Sequence, residues 1–332
     1  MVNIRHDVIG IGNAIVDVIA RADDDFLVRH QMVKGGMSLI DEARAEAIYT
    51  AMGPAREISG GSAANTIAGI ASFGGRAAFI GTVKDDGLGK VFSHDIRAAG
   101  VSFEVTPIKD GPSTARSYIL VTPDGERTMN TYLGAAQLLS AAEINESDIA
   151  AAKILYMEGY LWDPQDAKDA FLKAAKIAHA HNRVVSLTLS DAFCVDRYRR
   201  EFLELIKGGT VDLLFANESE LKSLYETGDF NAALLELRRD AKFAAVTRSE
   251  KGSVVVAKEE VTTVPAFPVG TVADTTGAGD LFAAGFLHGF AHDLSHETSA
   301  RLGAMAAAEV ISHLGARPEK KLADLAKENG LL

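Results

Sequence analysis

The sequence predicts an α/β protein in which a mostly parallel sheet, covered by helices on both faces, carries a small β appendage. Three observations support this. From about residue 153, four apolar stretches, "KILYMEGY", "RVVSLTLS", "VDLLFANE" and "KFAAVTRS", alternate with helical segments. That alternation marks a parallel sheet covered on both sides. Residues 101–135 have a different texture. "VSFEVTPI", "TARSYILVTP" and "ERTMNTYL" read as short strands with "PDGE" as a turn, so an antiparallel patch is expected. Finally, no linker, low-complexity tract or repeat of 20–50 residues divides the chain. One α/β domain with an appendage is the simplest organisation.

The remaining elements follow in order. "DVIGIGNAIVDVIA" reads as strand, glycine break, strand, and "MSLIDE" as a short strand or turn. In "EISGGSAANTIAGIASFGGRAAFIGTV" a Gly-Gly turn opens a small-residue helix, a second Gly-Gly closes it, and an apolar strand follows. "GLGKVFSHDIRAAGV" continues as helix and turn. In the second half the polar residues Tyr160, Asp191, Asn217, Glu220 and Thr247 gather just after the apolar strands. Open α/β sheets bind ligands outside the carboxyl ends of their strands, so one continuous active edge is expected.

Composition narrows the function classes. The net charge of −11 disfavours a nucleic-acid or anionic-membrane surface. It also means that a polyphosphate must be held by local devices: helix N-termini, a few cations or a metal. Cys194 is the single cysteine, so no internal disulfide forms and a reduced, cytoplasmic setting is expected. No run of 18 apolar residues offers a membrane span. Asp7 and Asp17 make the N-terminus a poor signal peptide. Small molecules are the expected partners, and a monomer or homodimer the expected state.

Familiar nucleotide motifs are missing. "GIGNAI" begins like a dinucleotide fingerprint but has Ile15 at its third glycine position, and "GLGKV" puts Val91 where a P-loop needs Ser or Thr. "DTTGAGD", residues 274–280, offers a different device. Gly277, Ala278 and Gly279 can present backbone N–H groups, and the apolar helix that follows adds its positive end. That is an anion hole. Asp280 in the first turn could serve only as a cap, but two glycines and two threonines beside it favour chemistry. It would take the proton from an attacking hydroxyl lying between it and a phosphoryl group, while the hole holds the developing charge. In "NESE", Asn217 and Glu220 share one face of a helix start, and an amide and a carboxylate at a strand end suit a hydrated Mg²⁺. "GGSAAN" gives a second glycine turn, Gly60 and Gly61, with Asn65 one helical turn on. "GNAIVD" supplies Asn13 and Asp17, and a carboxylate is well suited to accept two bonds from vicinal hydroxyls. His288, His292 and His296 have helical spacing, but Gly289, Asp293 and Ser295 mark a fraying end rather than a metal face.

Together these residues resemble the PfkB carbohydrate kinase family, also called ribokinase-like. "GGSAANTIAGIASFGG" and "DTTGAGDLFAAG" look like its two signatures, and "NESE" sits where the family has its Mg²⁺-linked motif. The resemblance implies a doubly wound, mostly parallel α/β core with a small β-sheet lid. The core would comprise residues 1–13, 45–100 and 136–332, and the lid residues 14–44 and 101–135. It implies ATP-dependent phosphoryl transfer with Asp280 as base and Gly277, Ala278 and Gly279 as anion hole. Asn13, Asp17, Gly60, Gly61 and Asn65 would hold the substrate's sugar hydroxyls. Asn217, Thr247, Gly252, Thr276, Gly277 and Gly279 would line the ATP site, with Glu220 and Asn217 holding Mg²⁺ through water. Arg127 is a candidate lid cation for the moving phosphoryl group, and Asp274 a candidate ligand for K⁺.

Within the family, "GNAIVDV", "GERTMNTYLGAAQ" and "AAAEVISHLGARPEKK" look most like adenosine kinases. The expected reaction is then transfer of the γ-phosphoryl group to the 5′-hydroxyl of adenosine. Met37, Leu39, Leu133, Tyr160 and Trp162 are candidates for a base slot or for ordinary lid packing. A ribokinase- or fructokinase-like sugar kinase is the alternative, and a catalytically silent nucleotide-sensing module a second.

Overall fold

The computed structural model describes residues 3–258 and 260–332. In chain order the strands are β1 (His6–Ile11), β2 (Ile15–Arg21), β3 (Met37–Leu39), β4 (Ala55–Gly60), β5 (Ala77–Ile80), β6 (Ala115–Val121) and β7 (Arg127–Tyr132), then β8 (Ala152–Glu158), β9 (Val184–Thr188), β10 (Leu213–Asn217), β11 (Phe243–Thr247), β12 (Ser253–Ala257) and β13 (Glu260–Val264). They form two sheets. The large one has the order β13-β12-β11-β10-β9-β8-β1-β5 and the small one β3-β7-β6-β2-β4.

From β5 to β11 the large sheet is parallel, and β12 and β13 close it antiparallel. Its strands are apolar runs because both faces are covered. Ile154 and Tyr156 of β8 join one core with Ile67, Ile70, Phe286 and Leu302. Leu155 and Met157 join the other, with Phe171, Ala174 and Phe202. The sequence expectation of a doubly wound, mostly parallel α/β fold with a second, small sheet holds.

The small sheet departs from the expected antiparallel patch. β2 pairs with β6 in parallel, and so does β3 with β7; only β2–β4 and β6–β7 are antiparallel. β4, which the sequence reading grouped with the core, pairs with β2. Its first three residues are exposed on both faces, so it carries no hydrophobic period to read. "VSFEVTPI" is not a strand of this sheet. It makes isolated bridges, Ala78 with Ser102 and Lys84 with Ile108, beside β5. Val101 and Phe103 anchor it in the core, while Pro107 has no N–H with which to continue a ladder.

Val16, Val18 and Tyr118 pack one face of the small sheet against Ala45 and Ile48 of the Glu42–Ala51 helix. Alternation along the strands turns their neighbours to the other face. Register there aligns a row Leu39–Thr131–Ser117–Asp17 and, beside it, a row Met37–Met129–Ile119–Ile19. An acid and two hydroxyls thus lie next to a wholly apolar stripe.

Candidate active site

The chain leaves β1 for β5 on one side and later enters β8 on the other, so the order of the large sheet reverses between β1 and β8. A crevice opens at the carboxyl ends of such a strand pair. Asn13 follows β1 there, and Glu158 ends β8. The buried Asn13 donates both its backbone N–H and its Nδ2 to Glu158 Oε1, each at 2.7 Å. The backbone N–H of Ala63 donates to Glu158 Oε2 at 2.6 Å. Burial pushes the Glu158 carboxyl up to about 7, although these donors pull the other way. Asn13 Oδ1 is buried with no protein partner, an acceptor left for a ligand donor. Gly61 starts the Ser62–Ser72 helix at φ +93°, and a Cβ there would overlap the Asn13 carbonyl oxygen. Both the conformation and the space require glycine.

The helix Ala278–Ala291 begins opposite. Gly277 is left-handed, at φ +80° and ψ −1°, and supplies no side-chain cap. Ala278 N reaches back to the Thr275 carbonyl at 3.3 Å, and the N–H groups of Gly279 and Asp280 are the first-turn donors the helix itself does not pair. A Cβ on Gly279 would meet nothing within 4 Å, so the space beside Gly279 in the first turn is open. Asp280 lies at its edge. Ser62 Oγ donates to Oδ1 at 2.7 Å and Asn65 Nδ2 to Oδ2 at 3.1 Å. Burial pushes Asp280 up to about 6, against those two hydrogen bonds and the charge of Arg317. Asp17, partly buried against Gly60, is likewise pushed up to about 6 by burial, with Arg127 and Arg317 pulling down and Asp280 adding to the rise.

Asp274, the expected candidate for a monovalent cation, is engaged by the protein. It accepts from Thr276 N at 3.0 Å, Thr276 Oγ1 at 2.7 Å and Gly315 N at 3.0 Å, and pairs with Arg127. Arg127 also donates to Thr276 Oγ1 at 3.0 Å. β7 of the small sheet is thereby tied to the Gly277 turn. Arg127 Nε is buried without a protein partner.

On the far side of the edge, Asn217 and Glu220 form a capping box. Asn217 N donates to Glu220 Oε2 and Glu220 N to Asn217 Oδ1, both at 2.9 Å. This box closes the start of the Glu218–Leu224 helix. Burial, then the charges of Asp191 and Asp280, push Glu220 up to about 7. Thr247 is the β11 neighbour of Asn217, and Gly252 turns at φ +84° just before β12. Among the described residues no three His, Cys, Asp or Glu side chains form a metal cage, so any Mg²⁺ here keeps most of its waters.

The structure corrects one expectation about the apolar slot. Trp162 packs on Phe171 and Phe202 in the opposite core and donates to Glu201, away from the crevice. Tyr160 is partly buried and its hydroxyl donates to the Ser190 carbonyl. Met37 and Leu39 do lie on the row-bearing face of the small sheet, while Leu133 follows β7. Three site residues escaped the sequence reading: Glu158, Ser62 and Arg317. Glu158 had a signal, a lone acid ending the apolar run "KILYME". Ser62 and Arg317 had none beyond lying in a glycine turn and before a proline.

Known proteins resemble the chain over nearly its whole length. The model of the pfkB family carbohydrate kinases matches residues 44–322. A solved adenosine kinase from Sinorhizobium meliloti is 56% identical, covering 98% of this chain and 99% of its own with a TM-score of 0.93. A probable sugar kinase protein from Rhizobium etli CFN 42 is 52% identical, covering 99% and 100% with a TM-score of 0.94. An ATP-dependent ribose-1-phosphate kinase from Halopiger xanaduensis is 32% identical over 70% of this chain and 73% of its own.

Proposed function

The chain belongs to the pfkB family of carbohydrate kinases and is an ATP-dependent phosphotransferase, and on that premise we propose that it phosphorylates the 5′-hydroxyl of a nucleoside, adenosine first, giving AMP and ADP. One observation carries the reading: Asp280 follows Gly279, whose side is open, and Asp17 lies near enough to feel its charge, next to an apolar stripe. Asp280 takes the proton of the acceptor hydroxyl. The acceptor oxygen bonds to the γ-phosphorus, the bond from that phosphorus to the β–γ bridging oxygen breaks, and the electron pair leaves on ADP. The N–H groups of Gly277, Ala278 and Gly279 hold the charge on the moving group. Arg127 exchanges Asp274 for that group and carries the small sheet over it as a lid. Asn13, Asp17, Gly60, Gly61 and Asn65 line the ribose. Asn217, Thr247, Gly252 and Thr276 line ATP, and Glu220 with Asn217 holds Mg²⁺ through water, where the ion neutralises phosphate charge.

The stripe Met37–Met129–Ile119–Ile19 favours a nucleoside, because a free sugar has no flat apolar surface to set against it. Similarity to the solved adenosine kinase supports the same reading. Similarity to a probable sugar kinase and a ribose-1-phosphate kinase supports the alternative, a sugar acceptor. The deciding measurement is kcat/KM with Mg-ATP for adenosine, inosine, ribose, ribose-1-phosphate and fructose side by side. Adenosine is expected to lead. A free sugar or sugar phosphate in first place would reverse the substrate assignment and leave the transfer chemistry intact.

The metal assignment has its own test. Glu220→Gln removes the charge and keeps an oxygen for the Asn217 N–H, at the loss of the bond from Asn217 Nδ2. The Mg²⁺ concentration giving half-maximal activity is expected to rise, with nucleoside binding in the absence of ATP unchanged. A Mg²⁺ titration that overlays the wild type would remove Glu220 from the role.

A further inference from the structure

The segment Gly315–Arg317 touches the catalytic turn at two points and the facing helix Ser62–Ser72 at a third. Gly315 N donates to Asp274, Ala316 fills the space where Gly277 would carry a Cβ, and Arg317 Nε donates to Asn65 Oδ1 at 3.2 Å. Asn65 is 4% exposed, and the other end of its amide donates to Asp280. A guanidinium has donors and no acceptor. Flipping the Asn65 amide would set donor against donor at Arg317 and acceptor against acceptor at Asp280. The cation therefore fixes the sense of the amide, and the amide fixes one oxygen of Asp280, while Ser62 holds the other.

We infer that Arg317 is a positioning residue for phosphoryl transfer, acting through Asn65 to aim Asp280 and placing a fixed positive charge between Asp280 and Asp17. The charged groups around it come from three elements: Asp17 on β2, Asp95 on the Gly87–Ala98 helix and Asp280 at the start of Ala278–Ala291. Burial lowers the guanidinium to about 10, and the three acids pull it back up, so it stays cationic at neutral pH. Its Nη2 is buried with no protein partner, which leaves one donor for an oxygen that arrives with the substrate. The inference rests on Asp280 being the base.

The experiment compares wild type, Arg317→Met, Arg317→Lys and Asp280→Asn for kcat, for KM of ATP, and for the acid limb of the kcat–pH profile. Arg317→Met is expected to lower kcat by about tenfold or more, through misaimed geometry, with KM for ATP little changed. Its acid limb is expected at higher pH, because a base without its cation ionises less readily. Arg317→Lys restores the charge but not the fork, so its limb stays at the wild-type position while kcat falls. An unmoved limb in Arg317→Met, or the same loss with the same limb in both variants, overturns the inference. Should Arg317→Met not fold, Arg317→Gln removes the charge, keeps a donor toward Asn65, and is read in the same way. Asp280→Asn separates the two levels: if it stays active the base assignment fails, and if it is inactive while Arg317→Met is normal only this inference fails.

Discussion

Asp280→Asn is expected to fold normally and to lose turnover by about 10² to 10⁴, the usual worth of a general base. The substitution suits the site. Asn65 presents an N–H to one oxygen of the group, and the carbonyl oxygen of an amide can take that bond. The Ser62 hydroxyl, now donating at 2.7 Å, can turn and accept from the new amide nitrogen. The hydrogen bonds survive and only the proton acceptor is lost. Wild-type kcat should fall on the acid side through about pH 6, where Asp280 titrates. Stability should move the opposite way. The folded carboxyl sits at about 6, above its ordinary value of 3.8, so the native state holds a proton that the unfolded chain releases. Stability from this group is therefore lost as pH rises through that window, and above it the protein bears the full cost of a buried charge. Asp280→Asn removes the cost. Its Tm at pH 8 should equal or exceed that of the wild type, and the difference should shrink toward pH 4. A variant keeping more than about half of the wild-type kcat would end the base assignment, since even weak general-base catalysis exceeds that.

Asp17→Ala is expected to have the second-largest effect, expressed in kcat/KM for the nucleoside. Asp17 lies partly buried on the row-bearing face of the small sheet, and the bonds it would make to vicinal ribose hydroxyls have no substitute there. Each hydroxyl left unpaired in a closed pocket costs about 1–3 kcal/mol, on the order of tenfold to a hundredfold in kcat/KM. Wild type should prefer adenosine over 2′-deoxyadenosine by one such factor. In Asp17→Ala the preference should collapse toward unity, because the group that senses the missing hydroxyl has gone. A preference that survives the substitution intact would place hydroxyl recognition elsewhere. Asp280 raises the affinity of Asp17 for protons, and repulsion between two carboxylates is mutual, so Asp17→Ala should also move the acid limb of kcat slightly downward.

The parallel core was legible because its strands are largely apolar runs, such as "LLFA" and "FAAV", separated by helices. The two glycine turns were legible because close approach and positive φ leave few alternatives to glycine, as Gly61 and Gly277 illustrate. The small sheet was half legible. β6 and β7 announce themselves by turn chemistry, whereas β4 does not, since its pairing with β2 is decided by the partner strand and not by its own residues. Register also lies beyond a single segment: nothing in "IVDVIAR" says that Asp17 will face Ser117. Trp162 misled for a related reason. An aromatic after a strand end suits a pocket or a core, and only the packing of Phe171 and Phe202 decides. Glu158 and Arg317 were missed because their importance is relational, set by Asn13 and Asn65 far away in the chain.

The long-range pairing of the first strands also has a bearing on how the chain is made. β2 finds its parallel partner about 100 residues later, Ile15 against Ala115, and β1 lies beside β8, His6 against Ala152. Contacts of such sequence separation slow folding, because the intervening loop must close before they reward it. At a synthesis rate of about 5–20 residues per second, β2 waits roughly 5–20 s on the ribosome for β6 to emerge. During that interval "VIGIGNAIVDVIA" is an apolar segment with unpaired strand edges, open to a chaperone or to the same segment of a neighbouring nascent chain.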